Sequence, residues 1–159
     1  NDFIGKIGGC TDAEYKTHFA LWCMMGSPLM MGSDIRKADE ITKRILLNSD
    51  FIRINQDVEA RGFYAIYPEP QWLNNTGCFI LVKVLSDGEL AIGFFNLGEG
   101  QRAIPLQFWD LGLSYASGME LSLYDCWEQK DLGRHKELFN AVVPSHDCLI
   151  VRGKVIAHE

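Results

Sequence analysis

The acidic residue best placed for chemistry in the first half of the chain is Asp34. It follows the short apolar run Leu29-Met30-Met31, which we predict to be a buried strand. In barrel and open α/β folds, active sites lie beyond the carboxyl ends of the strands. We therefore expect Ser33 and Asp34 to lie next to a substrate. The alternative for Asp34 is a turn residue or a helix cap.

A second group of acidic residues, Asp125, Glu128 and Asp131, surrounds Trp127. These side chains could form a polar site in which Trp127 stacks on the face of a sugar ring. The alternative is a solvated turn that a buried tryptophan holds in place.

Histidine, serine and cysteine form no recognisable catalytic or metal motif in the sequence. The five cysteines are odd in number and widely spaced, so we expect buried reduced thiols rather than disulfides or a zinc site. We expect no cofactor and no bound metal. Four of the five methionines lie in residues 24–31, which indicates soft core packing. The histidines are His18, which we expect to be a hydrogen-bonded core residue, His135, His146 and His158, and the cysteines are Cys10, Cys23, Cys78, Cys126 and Cys148.

The composition is that of a globular chain and excludes several classes of protein. The 159 residues are 47% hydrophobic and 23% charged, which argues against disorder and against a coiled coil. A net charge of −6 argues against nucleic-acid binding, and no apolar run approaches the ~20 residues of a membrane helix. The chain begins at Asn1 in what reads as a glycine-rich loop entered midway. Without a signal-peptide pattern, we expect a cytoplasmic location.

Residues 11–57 are typical of one slice of an α/β architecture. The capping-box pattern Thr11-Asp12-Ala13-Glu14 predicts a helix that ends near Gly26 and is buried on nearly all sides. We predict a second amphipathic helix at about 39–47, and Ser49 as the cap of a further short turn. Such a slice is not stable alone, because its strand lacks neighbours and its helices lack a sheet to pack on.

The remainder of the chain alternates between apolar runs and turn residues at a spacing of roughly ten residues, which favours an antiparallel β-sandwich. The turns are rich in Gly, Pro, Asn and Asp. The predicted strands are 61–67, 78–85, 89–97, 101–107, 119–126, 137–143, 147–151 and 154–157.

Several long, ordered segments resemble the α-galactosidase (melibiase) family of glycoside hydrolases. The first three are 8–25 (GGCTDAEYKTHFALWCMM), 27–36 (SPLMMGSDIR) and 54–57 (INQD). Segments 125–133 (DCWEQKDLG) and 143–148 (VPSHDC) are similar to the carboxy-terminal β domain of that family. These segments together frame nearly the whole chain.

This resemblance implies a (β/α)₈ barrel followed by an antiparallel β-sandwich. Residues 1–58 would be the C-terminal remnant of the catalytic barrel, and residues 59–159 the sandwich domain. The expected fold is therefore mainly β, with an antiparallel β-sandwich preceded by a terminal helix–strand–helix piece of the barrel. Members of the family hydrolyse terminal α-galactosides, or close relatives of them, with retention of configuration.

The resemblance also implies that both catalytic aspartates of the family lie upstream of these segments. The family's Y-D-x-C motif and its W-N-D-P-D motif are both missing from the sequence. Asn1-Asp2 echoes the second motif, but Phe3 stands where the motif requires proline. We therefore assign no catalytic role to Asp2 and expect no catalytic residue and no turnover in this chain alone.

Three functions remain open at this point. The chain could be a fragment of an α-galactosidase, which meets α-galactoside sugars through the full-length enzyme. It could be a non-catalytic carbohydrate-binding module that uses exposed rings among Trp72, Trp109 and Trp127. It could be a structural partner whose residues 11–57 dock on another chain. We favour the first function, and we expect self-association through residues 11–57 as its physical consequence.

Overall fold

The computed structural model describes residues 9–32, 34–68 and 76–157. Three helices precede eight strands in this part of the chain, and all of the strand pairs are antiparallel. The mainly β fold class, with an antiparallel sandwich, is thereby confirmed. The elements are α1 (Asp12–Met25), α2 (Glu40–Leu46), α3 (Ser49–Asn55), β1 (Phe63–Ile66), β2 (Cys78–Val84), β3 (Leu90–Asn96), β4 (Arg102–Gln107), β5 (Met119–Asp125), β6 (Lys130–His135), β7 (Leu138–Val143) and β8 (Asp147–Ala157).

The six-stranded sheet, in the order β1-β2-β3-β8-β5-β6, forms the middle of three layers. One of its faces packs on the two-stranded sheet β4-β7, through a buried cluster that includes Phe94 and Ile104. Its other face packs on the helices, through a cluster that includes Phe95 and Phe51. Because successive residues of a strand point to opposite faces, β2 and β3 are buried on both sides. The division of the chain at residues 58 and 59 stays a prediction.

Helix α1 begins at the predicted capping box. The Thr11 side chain accepts a hydrogen bond from the backbone N–H of Glu14, while the Glu14 carboxylate accepts one from the backbone N–H of Thr11 (2.6 Å). The helix ends at Gly26, whose φ of +65° is the left-handed conformation that closes helices. Burial on nearly all sides was wrong, because His18 and Trp22 lie on an exposed face.

Helices α2 and α3 are held by capping side chains. Asp39 caps α2 by accepting a hydrogen bond from the backbone N–H of Thr42 (2.9 Å). The cap of α3 is Asn48 rather than the predicted Ser49. Asn48 also donates a hydrogen bond to the carbonyl of Cys126 (3.0 Å), and this buried bond ties α3 to the end of β5. The second contact explains why asparagine, with both a donor and an acceptor, serves as the cap.

The prediction of a buried strand at Leu29-Met30-Met31 was wrong. Residues 27–32 have no regular secondary structure, and Met30 is 90% exposed and Met31 51% exposed. No strand among the described residues pairs with this segment. The methionine-rich run therefore does not fill the core, with the exception of Met24, which is fully buried.

The predicted strands are confirmed with two differences. The runs 147–151 and 154–157 form one continuous strand, β8. Strand β6 was not predicted, because its sequence Lys130–His135 is charged and lies at the edge of the sheet, where one side of the strand is solvated. None of the helices in the described part is long and apolar enough to cross a membrane.

Candidate functional site

Asp34 lies just after the irregular segment 27–32, in the turn that leads to α2. Both of its carboxylate oxygens accept hydrogen bonds from the Arg36 guanidinium, each at 2.8 Å. The backbone N–H of Arg36 adds a third bond at 3.1 Å. The Asp34 side chain remains 38% exposed. The two residues thus form a bidentate pair at the surface, and Ser33 lies outside the described residues.

The pairing sets the protonation state of Asp34. Hydrogen bonds from the Arg36 side chain, and then from its backbone N–H, hold the pKa of the Asp34 carboxyl below its usual range. Asp34 is therefore an ionised acceptor at neutral pH and carries no proton to donate. It can still accept a hydrogen bond on a lone pair that Arg36 leaves unused.

The segment that carries Asp34 is anchored by the end of α3. The Asn55 amide donates to the carbonyl of Ser27 (2.8 Å) and, at 3.4 Å, to that of Trp22. Two residues further on, Asp57 accepts hydrogen bonds from the backbone N–H and from the hydroxyl of Ser86, both at 2.8 Å. The backbone N–H of Ser86 is the main reason that the pKa of Asp57 is lowered. The segment 54–57 is therefore an anchoring segment in this chain.

Lys83 is a buried charge that sequence reasoning missed. It lies on β2 with only 1% of its surface exposed, and its Nζ donates to the carbonyl of Ile54 at 2.7 Å. Burial lowers the pKa of the Lys83 ammonium, and the negative charge of Asp57 acts in the opposite direction. The sequence does not indicate that Lys83 is buried, because a lysine within an apolar strand is also typical of a strand with one exposed position.

The acidic residues near Trp127 accept hydrogen bonds from nearby backbone groups. Asp125 accepts hydrogen bonds from the backbone N–H groups of Trp127 (2.8 Å) and Glu128 (3.0 Å). Asp131 accepts one from the backbone N–H of Gly133 (2.7 Å). Two of the carboxylates thus stabilise local turns, and the alternative of a turn held by a tryptophan is the correct one.

Trp127 is partly buried, and protein groups pack on its ring, which makes it a poor stacking surface for a sugar. The guanidinium of Arg44 lies 4.0 Å from its ring centroid, and the Lys16 ammonium lies 5.1 Å away. Phe51 stacks on it with a centroid distance of 6.3 Å. Arg44 also donates to the Trp127 carbonyl (3.1 Å). The ring therefore joins α2 and α3 to the turn that follows β5.

The three histidines within the described part of the chain stay separate from one another. His18 is exposed rather than buried in the core, and its Nε2 accepts a hydrogen bond from the indole N–H of Trp22 (2.8 Å). His146 lies 3.2 Å from Glu99, His135 packs edge-on against Phe139, and His158 lies outside the described residues. Within residues 9–32, 34–68 and 76–157, no three His, Cys, Asp or Glu side chains form a group that could hold a metal ion.

The cysteines agree with the prediction of buried free thiols for four of the five. All five are free, and only Cys10 is exposed. Burial raises the pKa of Cys23, Cys126 and Cys148 to about 12 in each case. These thiols are therefore protonated and unreactive at neutral pH.

An apolar strip is exposed at the C-terminal end of α1 and in the segment that follows it. It consists of Trp22 (40% exposed), Met25 (43%), Met30 and Met31. The opposite side of the helix packs on the sheet through Phe19, Ala20, Cys23 and Met24. The strip thus gives α1 a second apolar side that no described element covers.

Two family models match the chain, one over the part that contains the helices and one over most of the strands. The model described as alpha galactosidase A matches residues 2–57, which include the three helices. The model of the alpha galactosidase C-terminal beta sandwich domain matches residues 76–152. The chain belongs to the α-galactosidase (melibiase) family.

Relatives in this family are longer than the chain. An alpha-galactosidase A from Cellvibrio japonicus is 30% identical over 162 residues, which cover 95% of this chain and 38% of that protein. An alpha-galactosidase from Oryza sativa subsp. japonica is 29% identical over 142 residues, which cover 89% of this chain and 32% of that protein. The chain thus spans about a third of the length of these melibiase relatives.

Solved structures of the family share the fold. Alpha-galactosidase I from Mortierella vinacea matches 95% of this chain and 37% of its own, with a TM-score of 0.81 and 22% identity. A GH27 β-L-arabinopyranosidase from Geobacillus stearothermophilus matches 94% of this chain and 33% of its own, with a TM-score of 0.78 and 24% identity. At these identities the likeness concerns the fold alone.

Proposed function

We propose that this chain forms the C-terminal part of a retaining glycoside hydrolase of the α-galactosidase type, which acts on terminal α-galactosides. The observation that carries the proposal is the apolar strip of Trp22, Met25, Met30 and Met31. It lies within the region that the alpha galactosidase A model matches, and exposed apolar side chains grouped in one segment indicate an interaction site. We infer that the remaining elements of a barrel cover the strip in the whole enzyme.

The chemistry of such an enzyme needs two carboxyl groups about 5–5.5 Å apart, one as nucleophile and one as acid and then base. The family resemblance puts both upstream of the segments found here, so this chain supplies neither. Asp34 does not fit the role of the acid. Its pairing with Arg36 lowers the pKa of its carboxyl, whereas a general acid must hold a proton at the working pH. The chain alone therefore should not hydrolyse α-galactosides.

Ser33 and Asp34 are proposed to lie next to the substrate in the whole enzyme. Asp34 follows the strip-bearing segment, and Arg36 fixes its carboxylate in one orientation through two bonds. A carboxylate held in this way can accept a hydrogen bond from a sugar hydroxyl with little further loss of side-chain entropy. This role is that of positioning the substrate and not of reacting with it.

The test begins with the nucleotide sequence upstream of the Asn1 codon. We expect the open reading frame to continue through Y-D-x-C and W-N-D-P-D motifs, and the protein expressed from the extended frame to hydrolyse an aryl α-galactoside. The 159-residue chain serves as the matched control and should show no turnover. A stop codon and a start codon directly upstream would contradict the proposal. So would hydrolysis by the homogeneous chain that survives Asp2→Asn.

A further inference from the structure

The connection between β4 and β5 presents two aromatic side chains to solvent. It contains two short 3-10 turns, Phe108–Leu111 and Tyr115–Ser117. Phe108 is 1% exposed and belongs to the core between the two sheets, whereas the next residue, Trp109, is 53% exposed and Tyr115 is 48% exposed. The connection is thus anchored in the core on one side and open on the other.

The backbone of this connection is held by its own hydrogen bonds. Gly112 has a φ of +81° and its N–H donates to the carbonyl of Trp109 (2.9 Å), while Leu113 donates to the carbonyl of Phe108 (3.0 Å). The N–H of Phe108 donates to the carbonyl of Glu137 (2.8 Å), at the start of β7. Rings on a backbone fixed in this way lose little further freedom when a ligand binds.

The two rings form a corner. Their centroids lie 5.3 Å apart and their planes meet at 71°, so that the edge of one ring contacts the other. With half of each side chain exposed, ring surface remains open to solvent beside this contact. The arrangement is a common one for aromatic pairs and leaves both rings in a defined orientation.

Charged residues lie near each of the two aromatic residues. Asp110 is exposed next to Trp109 in sequence, and its charge adds to burial in raising the pKa of the nearby Tyr64. Lys136 and Glu137 lie with Tyr115 around a small surface depression. The corner is therefore an apolar surface of two rings with hydrogen-bonding groups at its rim.

We propose that Trp109 and Tyr115 form a binding platform for a pyranoside. The C–H groups on one face of a pyranose ring pack on an aromatic face, while the hydroxyl groups at its edge need charged or polar partners such as Asp110 and Glu137. An apolar protein partner would instead desolvate these charges without pairing them, which is costly. The proposal requires binding only, so it does not depend on hydrolysis.

The expected affinity is low, because the platform is open and contacts one face of the sugar. For a single pyranose ring, the ordinary binding free energy per atom gives a dissociation constant on the order of 1 mM. Saturation-transfer NMR and intrinsic tryptophan fluorescence both detect binding in that range. Melibiose and maltose are suitable probes, because both contain pyranose rings but differ in the configuration at C4 of the non-reducing ring and in their linkage.

The experiment compares the chain with variants of two half-exposed tryptophans. We expect saturation transfer to at least one of the two sugars, and Trp109→Ala should weaken binding at least ten-fold. Trp22→Ala is the matched control and should leave the dissociation constant unchanged, because Trp22 lies on α1, on the other face of the central sheet. If Trp109→Ala does not fold by circular dichroism, Trp109→Phe should still weaken binding about three-fold.

Three outcomes would overturn the proposal. The first is the lack of any sugar signal at tens of millimolar. The second is equal binding by the wild-type chain and a folded Trp109 variant. The third is a change in molar mass by light scattering with Trp109→Ala but no change in sugar binding, since this would assign the rings to a contact between protein chains.

Discussion

The Nζ of Lys83 lies 2.7 Å from the carbonyl oxygen of Ile54, so that a buried lysine on the central sheet closes the C-terminal end of helix α3. The last carbonyl groups of a helix have no partner within the helix, and a cation is favoured there. This single contact connects the sheet to the segment 54–57, which in turn anchors the irregular segment before Asp34.

Replacing Lys83 should lower the stability of the fold. Lys83→Ala removes the stem as well as the bond and should cost about 2–4 kcal/mol. Lys83→Met keeps the packing and removes a desolvated charge, so it should cost less, about 1–3 kcal/mol. Lys154→Met on β8, where the lysine is exposed, is the control. Urea unfolding measures all three, and equal stability of Lys83→Ala and the wild-type chain would contradict this role.

Alkaline pH should destabilise the chain through its buried thiols. Cys23, Cys126 and Cys148 have pKa values raised to about 12 in the folded chain from an ordinary value of 9.0. Between these values the unfolded chain loses protons that the folded chain keeps. The contribution of the thiols to the unfolding free energy should therefore be fully present below pH 9. Above pH 9 the unfolding free energy should fall by about 1.4 kcal/mol per pH unit for each thiol.

The measurement is urea unfolding at several pH values between 7 and 11 in the presence of a reductant. The lowered pKa of Lys83 has the opposite effect on the pH dependence of stability. Three thiols nevertheless contribute against one lysine. Cys126→Ala should reduce the slope above pH 9 by about a third, whatever its effect at pH 7. A slope that is flat, or that does not respond to this substitution, would show that the thiols ionise as readily in the folded chain.

Asp34 should influence substrate binding in the extended enzyme without carrying the catalytic proton. Asp34→Asn should lower kcat/KM about ten-fold, since a misplaced hydrogen-bond acceptor costs orientation. The pH profile of kcat/KM should keep both of its limbs. Asp131→Asn, at a turn carboxylate of β6, is the control and should retain full activity. Loss of one limb with Asp34→Asn would instead make Asp34 the general acid or base.

The exposed strip should cause the isolated chain to self-associate. Met30→Lys combined with Met31→Lys should shift the chain toward the monomer, because charges at these positions resist burial in a contact between copies. Met119→Lys, which changes a methionine that is 37% exposed on β5, should leave the association unchanged. Sedimentation velocity over a range of concentrations measures the effect, and a wild-type chain that stays monomeric throughout would refute it.

Local signals in the sequence predicted most of the elements correctly. The capping box of Thr11 and Glu14 determines where α1 begins, because both hydrogen bonds form within four residues. The apolar runs of β2 and β3 likewise predict strands of the central sheet. Because these strands are buried on both faces, they contain few polar positions. Such features depend little on what the rest of the chain does.

The failures concern features that depend on distant partners. Leu29-Met30-Met31 has the composition of a buried strand, but burial also needs neighbouring strands, and the described residues supply none. Trp127 looks the same in sequence whether a sugar or Arg44 covers it. The role of Lys83 depends on an α3 carbonyl 29 residues away. The family resemblance identified the matching segments correctly but gave no role to Asn55 and Asp57.

The three helices pack on the central sheet through side-chain contacts, although composition divides the chain near residue 58. Asn48 and Arg44 hold α3 and α2 to the end of β5, and Lys16 on α1 pairs with Asp147 at the start of β8 (2.7 Å). Separating the chain at residue 58 would therefore expose the face of the central sheet on which the helices pack.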